Sequence, residues 1–442
     1  MQKVHRFFFA FLIAMFFSLS LSGCYDSTEI DEEVYALAVG VDKGVSNIIR
    51  VTIQYATYKD GGGGQKSGGG GNGESAGGGK EEESGEVDGT VVATVEAPSL
   101  LEAINMLNLS SNRQISLFHT KMLVFSEDYA REGVMCYVEP LARYRQVRDS
   151  MRVVVCQGTA EEFIKKGSDY VGANMSKGME LSFYQSQNTG YFPDVFFHDF
   201  YASVLSPYGQ STAIYAGVND FKQLEVPTNR ELKLVTDLDM KPGQIPRKGG
   251  SKSEFFGTAV FDGDKMVGYL LQNETRFYLI ATGKFQWGTF TFKDPQSPNY
   301  AFLLEITNSR KPEVEFRFEE GVPVIDLKIG LEAELVSSQS RINYEDLDRI
   351  AELETEVEKY FCDGIKRTID KTQQEWNSDI FFFGKKAAAQ FRTIQEMESY
   401  NWLQHYHQAE VNVDVDVKIR RSGFLFKAMP IQSTSAGQKG RE

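Results

Sequence analysis

The stretch Val411-Asn412-Val413-Asp414-Val415-Asp416-Val417-Lys418-Ile419-Arg420 alternates apolar and polar side chains without a break. Successive side chains of a β-strand point to opposite faces of the sheet, so this period of two predicts a strand. Its apolar face is expected to be buried, and its polar face is expected to be solvated.

A long amphipathic helix is predicted upstream of this strand, from Tyr344 to about Gln374. Its apolar residues recur at spacings of three and four: Leu347, Ile350, Leu353, Val357, Tyr360 or Phe361, Ile365 and Ile369. At 1.5 Å per residue such a helix is about 45 Å long. We expect its apolar stripe to lie across the helix's own sheet; the alternative is an exposed stripe that docks a membrane partner.

The remaining pattern predicts an α+β fold with mostly antiparallel sheets flanked by helices, and the length is enough for two or three domains. A turn at Asp262-Gly263-Asp264-Lys265 between two apolar runs predicts a hairpin. The expected organisation is a signal peptide at 1–23, an N-terminal α+β domain at 24–205 with a flexible glycine-rich loop at 60–89, a small middle region or connector at 206–253, a C-terminal α+β domain at 254–430 and a disordered tail at 431–442.

The first 24 residues read as a lipoprotein signal peptide. Lys3 and Arg6 precede an apolar run from Phe7 to Leu21, which is too short for a permanent membrane span. Leu21-Ser22-Gly23-Cys24 resembles a bacterial lipobox, which implies cleavage between Gly23 and Cys24 and acylation, for example with palmitate, of the Cys24 thiol. The alternative is an ordinary signal peptide with a chance cysteine.

The formal net charge is -14, and removal of Lys3 and Arg6 with the signal peptide would bring it to -16. Such an acidic chain is a poor candidate for binding nucleic acid, whose phosphates need basic patches. For the same reason we expect the lipid, rather than the protein surface, to hold the chain at a membrane.

No residue pattern makes a case for an enzyme, a cofactor site or a metal site. His119 with Lys121 as an acid–base pair, His405 with His407 as zinc ligands, and Asp414 with Asp416 as calcium ligands are each better read as structural or surface residues. Cys136, Cys156 and Cys362 are widely spaced and odd in number, so buried free thiols are expected, with a disulfide as the alternative.

The segment from Asp379 to Gly384 is the candidate interface. Three consecutive phenylalanines, Phe381, Phe382 and Phe383, cannot all point inward from a loop, which predicts an exposed aromatic patch. The alternative is plain core packing.

Taken together, these landmarks resemble the Ger(x)C family, the lipoprotein C subunits of bacterial spore germinant receptors. The resemblance runs almost end to end, while the glycine-rich insert at 61–79 departs from the family pattern. It rests on Leu21–Cys24, Glu29-Ile30, Ala38–Asp42, Phe118–Val124, Leu141–Arg145, Gly257–Phe261, Val267-Gly268, Glu274–Arg276, Ser378–Gly384, Trp402 and Val413–Arg421.

The resemblance implies a lipid-anchored, non-enzymatic receptor subunit that is required for spore germination and lies on the extracytoplasmic face of the spore inner membrane. It also implies a multi-domain α+β fold of about three domains. It implies partnership with an A subunit and a polytopic B subunit, and no small-molecule substrate on this chain. The alternatives are an extracytoplasmic solute-binding lipoprotein of a transporter, which usually has two parallel-sheet lobes, and a cell-wall hydrolase, which would need a carboxylate pair or a metal triad.

Overall fold

The described part of the chain forms two β-sheets, each flanked by helices. The computed structural model describes residues 4–9, 11, 15, 29–56, 86–87, 90–167, 175–222, 234–237, 240–340, 342–344 and 346–421. The predicted cleavage site at Gly23 and Cys24, most of the glycine-rich loop and the C-terminal tail lie outside the described residues. No helix among the described residues is long and apolar enough to cross a membrane.

The first sheet has ten strands in the order β10-β9-β8-β7-β6-β1-β2-β4-β3, with β5 also beside β1. Its strands are β1 (Glu33–Lys43), β2 (Ile49–Ala56), β3 (Glu86–Val87), β4 (Thr90–Ala97), β5 (Gln114–Ser116), β6 (Met122–Ser126), β7 (Arg152–Cys156), β8 (Thr212–Val218), β9 (Ser253–Asp262) and β10 (Lys265–Leu270).

Six helices cover the two faces of this sheet. They are α1 (Leu100–Asn108), α2 (Glu127–Glu132), α3 (Met135–Arg143), α4 (Ala160–Lys166), α5 (Met175–Thr189) and α6 (Phe197–Val204). Side chains of β7 alternate between the two resulting cores: Val153 and Val155 pack with α1, α2, α3 and α6, whereas Val154 and Cys156 pack with α4 and α5. The strand is therefore apolar on both faces, as expected for a covered sheet.

The centre of the first sheet is parallel, which was not predicted. β1, β6, β7 and β8 pair in parallel, because helices cross from the end of one strand to the start of the next. Antiparallel pairings still form the majority over the two sheets. The predicted hairpin is confirmed by the antiparallel pairing of Asp262 with Lys265.

The middle region does not form a layer of its own in the described residues. Its segment Thr212–Val218 is β8, an almost wholly buried strand inside the first sheet, and β9 and β10 extend the same sheet to Leu270. The expected start of a C-terminal domain at residue 254 therefore does not coincide with a break between sheets. The described residues form two sheets, and the expected domain boundaries stay a prediction, since one short apolar run does not reveal which sheet it joins.

The second sheet contains β11 (Trp287–Lys293), β12 (Ala301–Asn308), β13 (Glu313–Glu319), β14 (Val322–Ser338) and β15 (Glu410–Arg421). In β15, Val411, Val415 and Val417 are buried, whereas Asp414 and Asp416 are exposed, which confirms the predicted half-buried strand. β15 pairs in parallel with β14, a detail that its own sequence does not reveal.

The predicted long helix is α8 (Leu347–Lys371), which continues into a π-helical turn at Thr372–Trp376. Its residues Leu353, Val357, Phe361, Ile365 and Ile369 are buried in the core of the second sheet. The helix thus covers its own sheet, as expected. The remaining helices are α7 (Gln272–Ala281), α9 (Gly384–Ala388), α10 (Ile394–Tyr400) and α11 (Trp402–His405).

Candidate functional site

Helix α7 connects the last strand of the first sheet to the first strand of the second sheet, and it is buried along most of its length. Residues 376–384 pack against it, with Phe381 edge-on to Tyr278. Gly268 of β10 and Trp402 of α11 pack against residues 376–384 in turn. We call this contact region the junction. Several of the landmarks that carry the family resemblance meet here, which makes the junction the candidate functional site.

Asp379 is the polar centre of the junction, with none of its surface exposed. Its Oδ2 accepts hydrogen bonds from Trp402 Nε1 at 2.7 Å and from the Gly384 amide at 3.0 Å. Its Oδ1 accepts from the Phe383 amide at 3.2 Å. Burial raises the pKa of Asp379 to about 6, and these donors oppose the rise because they favour the charged carboxylate.

The same segment is tied to the first sheet. The Ser378 hydroxyl donates to the carbonyl of Phe261 in β9 at 2.7 Å, and the Gln210 amide donates to the Asp379 carbonyl at 2.8 Å. Residues 378–384 therefore bind the first sheet through the Ser378 hydroxyl and the Asp379 carbonyl, and they bind Trp402 through the Asp379 carboxylate. Because both sets of contacts are buried, we expect the segment to fix how the two sheets are oriented.

Two glycines allow the close contacts of the junction. A Cβ on Gly268 would lie 2.2 Å from the indole of Trp376. A Cβ on Gly384 would lie 2.4 Å from both the Trp402 ring and the Tyr208 carbonyl oxygen. Neither position has room for a side chain.

Replacing Gly384 with alanine is expected to reduce the free energy of unfolding by about 2 kcal/mol, because the backbone oxygen of Tyr208 cannot move as easily as a side chain. Chemical denaturation measures the change. Lys386→Ala, at an exposed position two residues away, is the control and should have little effect. Equal stabilities of the two variants would contradict the close packing.

The prediction of an exposed aromatic patch at residues 381–383 is wrong for two of the three rings, which are buried. Phe381 and Phe383 are buried and stack on each other with centroids 5.4 Å apart. Phe382 alone is half-buried, and its backbone has a φ of +59°, a left-handed conformation that is costly for a non-glycine residue. The alternation is possible because this left-handed residue turns the chain between two inward-facing rings.

Arg276 of α7 is a second buried polar group of the junction, with 3 % of its surface exposed. Its Nε donates to the Thr189 carbonyl at 3.1 Å, and its Nη2 donates to the Thr289 carbonyl at 2.5 Å. The guanidinium carbon lies 3.6 Å from the Phe290 ring centroid and 4.7 Å from that of Tyr191. Burial lowers the pKa of Arg276 to about 10, so the group remains charged at neutral pH.

Arg276 therefore joins three elements: α5 of the first sheet's layer, α7 itself and β11 of the second sheet. The neighbouring Glu274 extends this connection to α8, since Lys371 Nζ lies 2.9 Å from Glu274 Oε1. Thr275 contacts the hydroxyl of Thr258 in β9 at 2.9 Å. Three consecutive side chains of α7 thus reach four other elements: α5, α8, β9 and β11.

The other residues considered in the sequence lie away from the junction. His119 packs edge-on against Tyr35, and His405 stacks on Tyr400, each pair with centroids 4.5 Å apart. Cys136, Cys156 and Cys362 are free thiols; Cys156 is buried, whereas Cys136 is exposed, contrary to expectation. Among the described residues, no group of three His, Cys, Asp or Glu side chains is placed to hold a metal ion.

Sequence reasoning missed the structural roles of Arg276, of Trp402 and of the carboxylate of Asp379. One feature could have pointed to Asp379: it is a lone acidic residue directly before the apolar run Ile380–Phe383. A charged residue in such a run is usually paired when it is buried. The identity of its partner could not be read, because Trp402 lies 23 positions away.

Comparisons with known proteins match spore germination families to residues of both sheets. Residues 26–217 match the family described as "Spore germination protein N-terminal domain", and residues 256–423 match "Spore germination B3/ GerAC like, C-terminal". The matched ranges contain most strands of the first sheet and all strands of the second.

Similar curated proteins include "Spore germination protein GerQC" of Bacillus cereus, 22 % identical over 93 % of this chain and 98 % of that protein. "Spore germination protein B3" of Bacillus subtilis (strain 168) is also 22 % identical, over 94 % of this chain and 98 % of the relative. A solved structure, "Crystal Structure of the GerBC protein", is 16 % identical, covers 86 % of this chain and 96 % of its own, and has a TM-score of 0.48.

Proposed function

The chain belongs to the Ger(x)C family of spore germination proteins, and on this basis we propose that it is a lipid-anchored, non-enzymatic subunit of a spore germinant receptor. The single observation that carries the proposal is the match of both family models, which together extend from residue 26 to residue 423 with one interruption. The family is one of germination proteins rather than a known class of enzyme.

The proposed anchor is a lipid on Cys24, attached after cleavage behind Gly23. The apolar run from Phe7 to Leu21 followed at once by the cysteine supports it. The location is then the extracytoplasmic face of the spore inner membrane. The proposed partners are the A subunit and the polytopic B subunit of the receptor, which bind the nutrient, so this chain needs no small-molecule substrate.

The junction supports a coupling role. Its buried hydrogen bonds and its close glycine contacts hold the two sheets in one relative orientation. A partner bound to one sheet is therefore held in a fixed position relative to a partner bound to the other. A solute-binding lipoprotein is less consistent with this architecture, since the second sheet is antiparallel except for the pairing of β15 with β14.

The proposal is tested with spores that carry a deletion of the gene or the variant Cys24→Ala. Both are expected to respond slowly or not at all to one class of nutrient, because the receptor would lack a subunit or the subunit would lack its anchor. The measurement is the loss of spore refractility after nutrient addition, with spores lacking the paralogous receptors as background.

Cys136→Ala is the matched control, since Cys136 is an exposed free thiol and its loss should leave germination unchanged. Normal germination of the deletion strain with every nutrient, in that background, would refute the receptor role. A defect in the deletion with normal germination of Cys24→Ala would retain the receptor and refute the anchor. Tight binding of a nutrient by the purified chain would favour the solute-binding alternative.

A further inference from the structure

The segment that leads into β9 has a charge opposite to that of the whole chain. Residues 241–252 contain four cations and no carboxylate, whereas the net charge of the chain is -14. We call these residues the basic loop. The basic loop meets the carboxyl end of β8, since the Asn219 amide donates to the Lys252 carbonyl at 2.7 Å. β8 is parallel to β7, and α/β sheets commonly bind ligands outside the carboxyl ends of parallel strands.

A buried carboxylate holds the basic loop in one conformation. Glu254 of β9 is 6 % exposed, and it accepts hydrogen bonds from the Gly243 amide at 2.7 Å and from Arg247 Nε at 2.6 Å. Asn219 Nδ2 donates both to Glu254 Oε1 at 2.6 Å and to the Ile245 carbonyl at 2.8 Å. Because these bonds tie the loop to the ends of two strands, its exposed groups are held in fixed positions.

The guanidinium of Arg247 turns the main chain of residues 248–252. Its Nη1 donates to the Gly249 carbonyl at 2.6 Å, and its Nη2 donates to the Ser251 carbonyl. Gly249 and Gly250 have φ angles of +84° and +76°. In the described part of the chain, no acceptor contacts the main-chain N–H groups of residues 248–252. Successive free N–H groups in a turn of this kind form an anion-binding concavity.

Two lysines beside these N–H groups are unpaired as well. The ion pairs near the loop are Arg247 with Glu254 and Lys222 with Asp220, and each pair is neutral. Lys248 and Lys252 are exposed, and neither has a carboxylate partner among the residues that the structure describes. With Lys241 they make three cations outside these pairs, so this part of the surface is positive and attracts anions.

We propose that residues 248–252 are an oxyanion-binding site, which takes a phosphate group through the main-chain N–H groups of the turn and the ammonium groups of Lys248 and Lys252. A phosphate group fits these donors because it presents several acceptor oxygens on one centre and carries negative charge at neutral pH. Inorganic phosphate and the headgroup phosphate of a phospholipid share this chemistry. The inference goes beyond the proposed function and requires neither the lipid anchor nor the receptor.

The test uses the chain from Tyr25 to Glu442, without signal peptide or lipid, which we call the body. All the residues of its three hydrophobic cores lie between Val34 and Ile419, so the body contains every part of its own cores. Partial acetylation followed by mass spectrometry gives the modification rate of each lysine. The body is titrated with inorganic phosphate, and sodium chloride of the same ionic strength is the reference.

Phosphate is expected to slow the acetylation of Lys248 and Lys252, because a bound phosphate group covers their ammonium groups. At about ten times the dissociation constant, both rates should fall at least about fivefold. Lys359 and Lys366, two exposed lysines of α8, should keep their rates in the same sample. Equal slowing of all four lysines, or no slowing beyond that in sodium chloride, would overturn the inference.

Gly250→Ala tests the main-chain donors without a change in charge. Alanine disfavours a φ of +76°, so the turn should lose its conformation, and the phosphate concentration for half-maximal protection should rise about tenfold. An added Cβ would lie 3.5 Å from Arg247 Nη1, which is an ordinary contact and not a clash. Gly321→Ala is the matched control, since Gly321 has a φ of +88° and no atom within 4 Å of an added Cβ. Wild-type protection in both variants would refute the role of the turn.

Lys248→Gln tests the contribution of an ammonium group. It should raise the phosphate concentration that protects Lys252 at least about fivefold, because a charge-assisted hydrogen bond is lost. Lys359→Gln makes the same change in net charge on α8 and should leave the protection unchanged. An equal effect of the two variants would show that only the overall charge matters, and it would overturn the inference. Circular dichroism establishes that all variants are folded.

Vesicles that contain about 30 % phosphatidylglycerol distinguish the two sources of the phosphate group. Protection of Lys248 and Lys252 at lipid concentrations below the required concentration of free phosphate would identify a lipid headgroup as the ligand. Protection by free phosphate alone would identify a soluble phosphate, and either result retains the site. These outcomes are separate from those of the spore experiment, since the acetylation assay requires neither the anchor nor the receptor.

Discussion

Asp379→Ala is expected to reduce the free energy of unfolding by about 3 kcal/mol at neutral pH. The substitution removes the acceptor of three buried donors, the Trp402 indole N–H and the amides of Phe383 and Gly384. A buried donor without an acceptor costs about 1 to 3 kcal/mol, and the relief of burying a charge offsets part of the total. Denaturant unfolding of the purified body measures the loss.

Asp416→Ala is the matched control for this prediction, because Asp416 is an exposed aspartate on the solvated face of β15. Its loss should change the stability little. If Asp379→Ala is no more destabilised than the control, the carboxylate does not hold the junction together.

The pH dependence of the Asp379→Asn variant tests the protonation state of the buried carboxyl. Burial raises the pKa of Asp379 from the ordinary 3.8 to about 6 in the folded chain. The folded state therefore holds this proton more tightly than the unfolded state, and the stability so gained is lost as the pH rises through about 6. Tyr406, which lies close, has its pKa raised well above its ordinary value and stays neutral throughout.

Asparagine does not titrate, so it lacks this contribution. The loss of unfolding free energy caused by Asp379→Asn should accordingly be about 2 kcal/mol larger at about pH 4.5 than at about pH 7.5. Unfolding curves of both proteins at the two pH values give the difference. A cost that is independent of pH would show that the carboxyl is ionised in the folded protein over the whole range.

Arg276→Ala is the second substitution with a large expected effect. We expect it to reduce the free energy of unfolding by about 3 kcal/mol. It would leave the carbonyls of Thr189 and Thr289 without their donor and open a cavity against the ring of Phe290. Arg276→Lys should recover only part of the lost stability. A lysine ammonium group lacks the planar fork of donors with which the guanidinium reaches both carbonyls.

Arg420→Ala is the control for Arg276, since Arg420 is an exposed arginine that pairs with Glu332 on the surface. We expect a change within about 0.5 kcal/mol there. Full stability of Arg276→Lys would refute the requirement for a planar guanidinium, and full stability of Arg276→Ala would refute the role of this residue in joining the sheets.

The sequence predicted the second sheet better than the first. Strand β15 and helix α8 were predicted within a few residues of their ends, because each carries the period of its own backbone geometry over many residues. The parallel centre of the first sheet was not predicted, and neither was the place of β8 in it. Short strands that are apolar on both faces, such as Val153–Cys156, have no period that reveals their neighbours.

The candidate site was predicted in part. The segment from Asp379 to Gly384 was singled out, and it does lie at the centre of the junction, but as buried packing rather than as an exposed patch. In a regular backbone, three consecutive phenylalanine side chains cannot all point inward. The left-handed conformation of Phe382 allows its two neighbours to point inward while its own ring stays half-buried.

The family, the amphipathic helix α8 and the half-buried strand β15 follow from the amino-acid sequence alone, because motifs and periodicity are properties of neighbouring residues. The hydrogen bonds of Ser378 to Phe261, 117 positions away, and of Arg276 to Thr189, 87 positions away, follow from the packing of the folded chain. Such contacts depend on how whole layers pack, and packing responds to shape and volume, which the pattern of one chain segment does not contain.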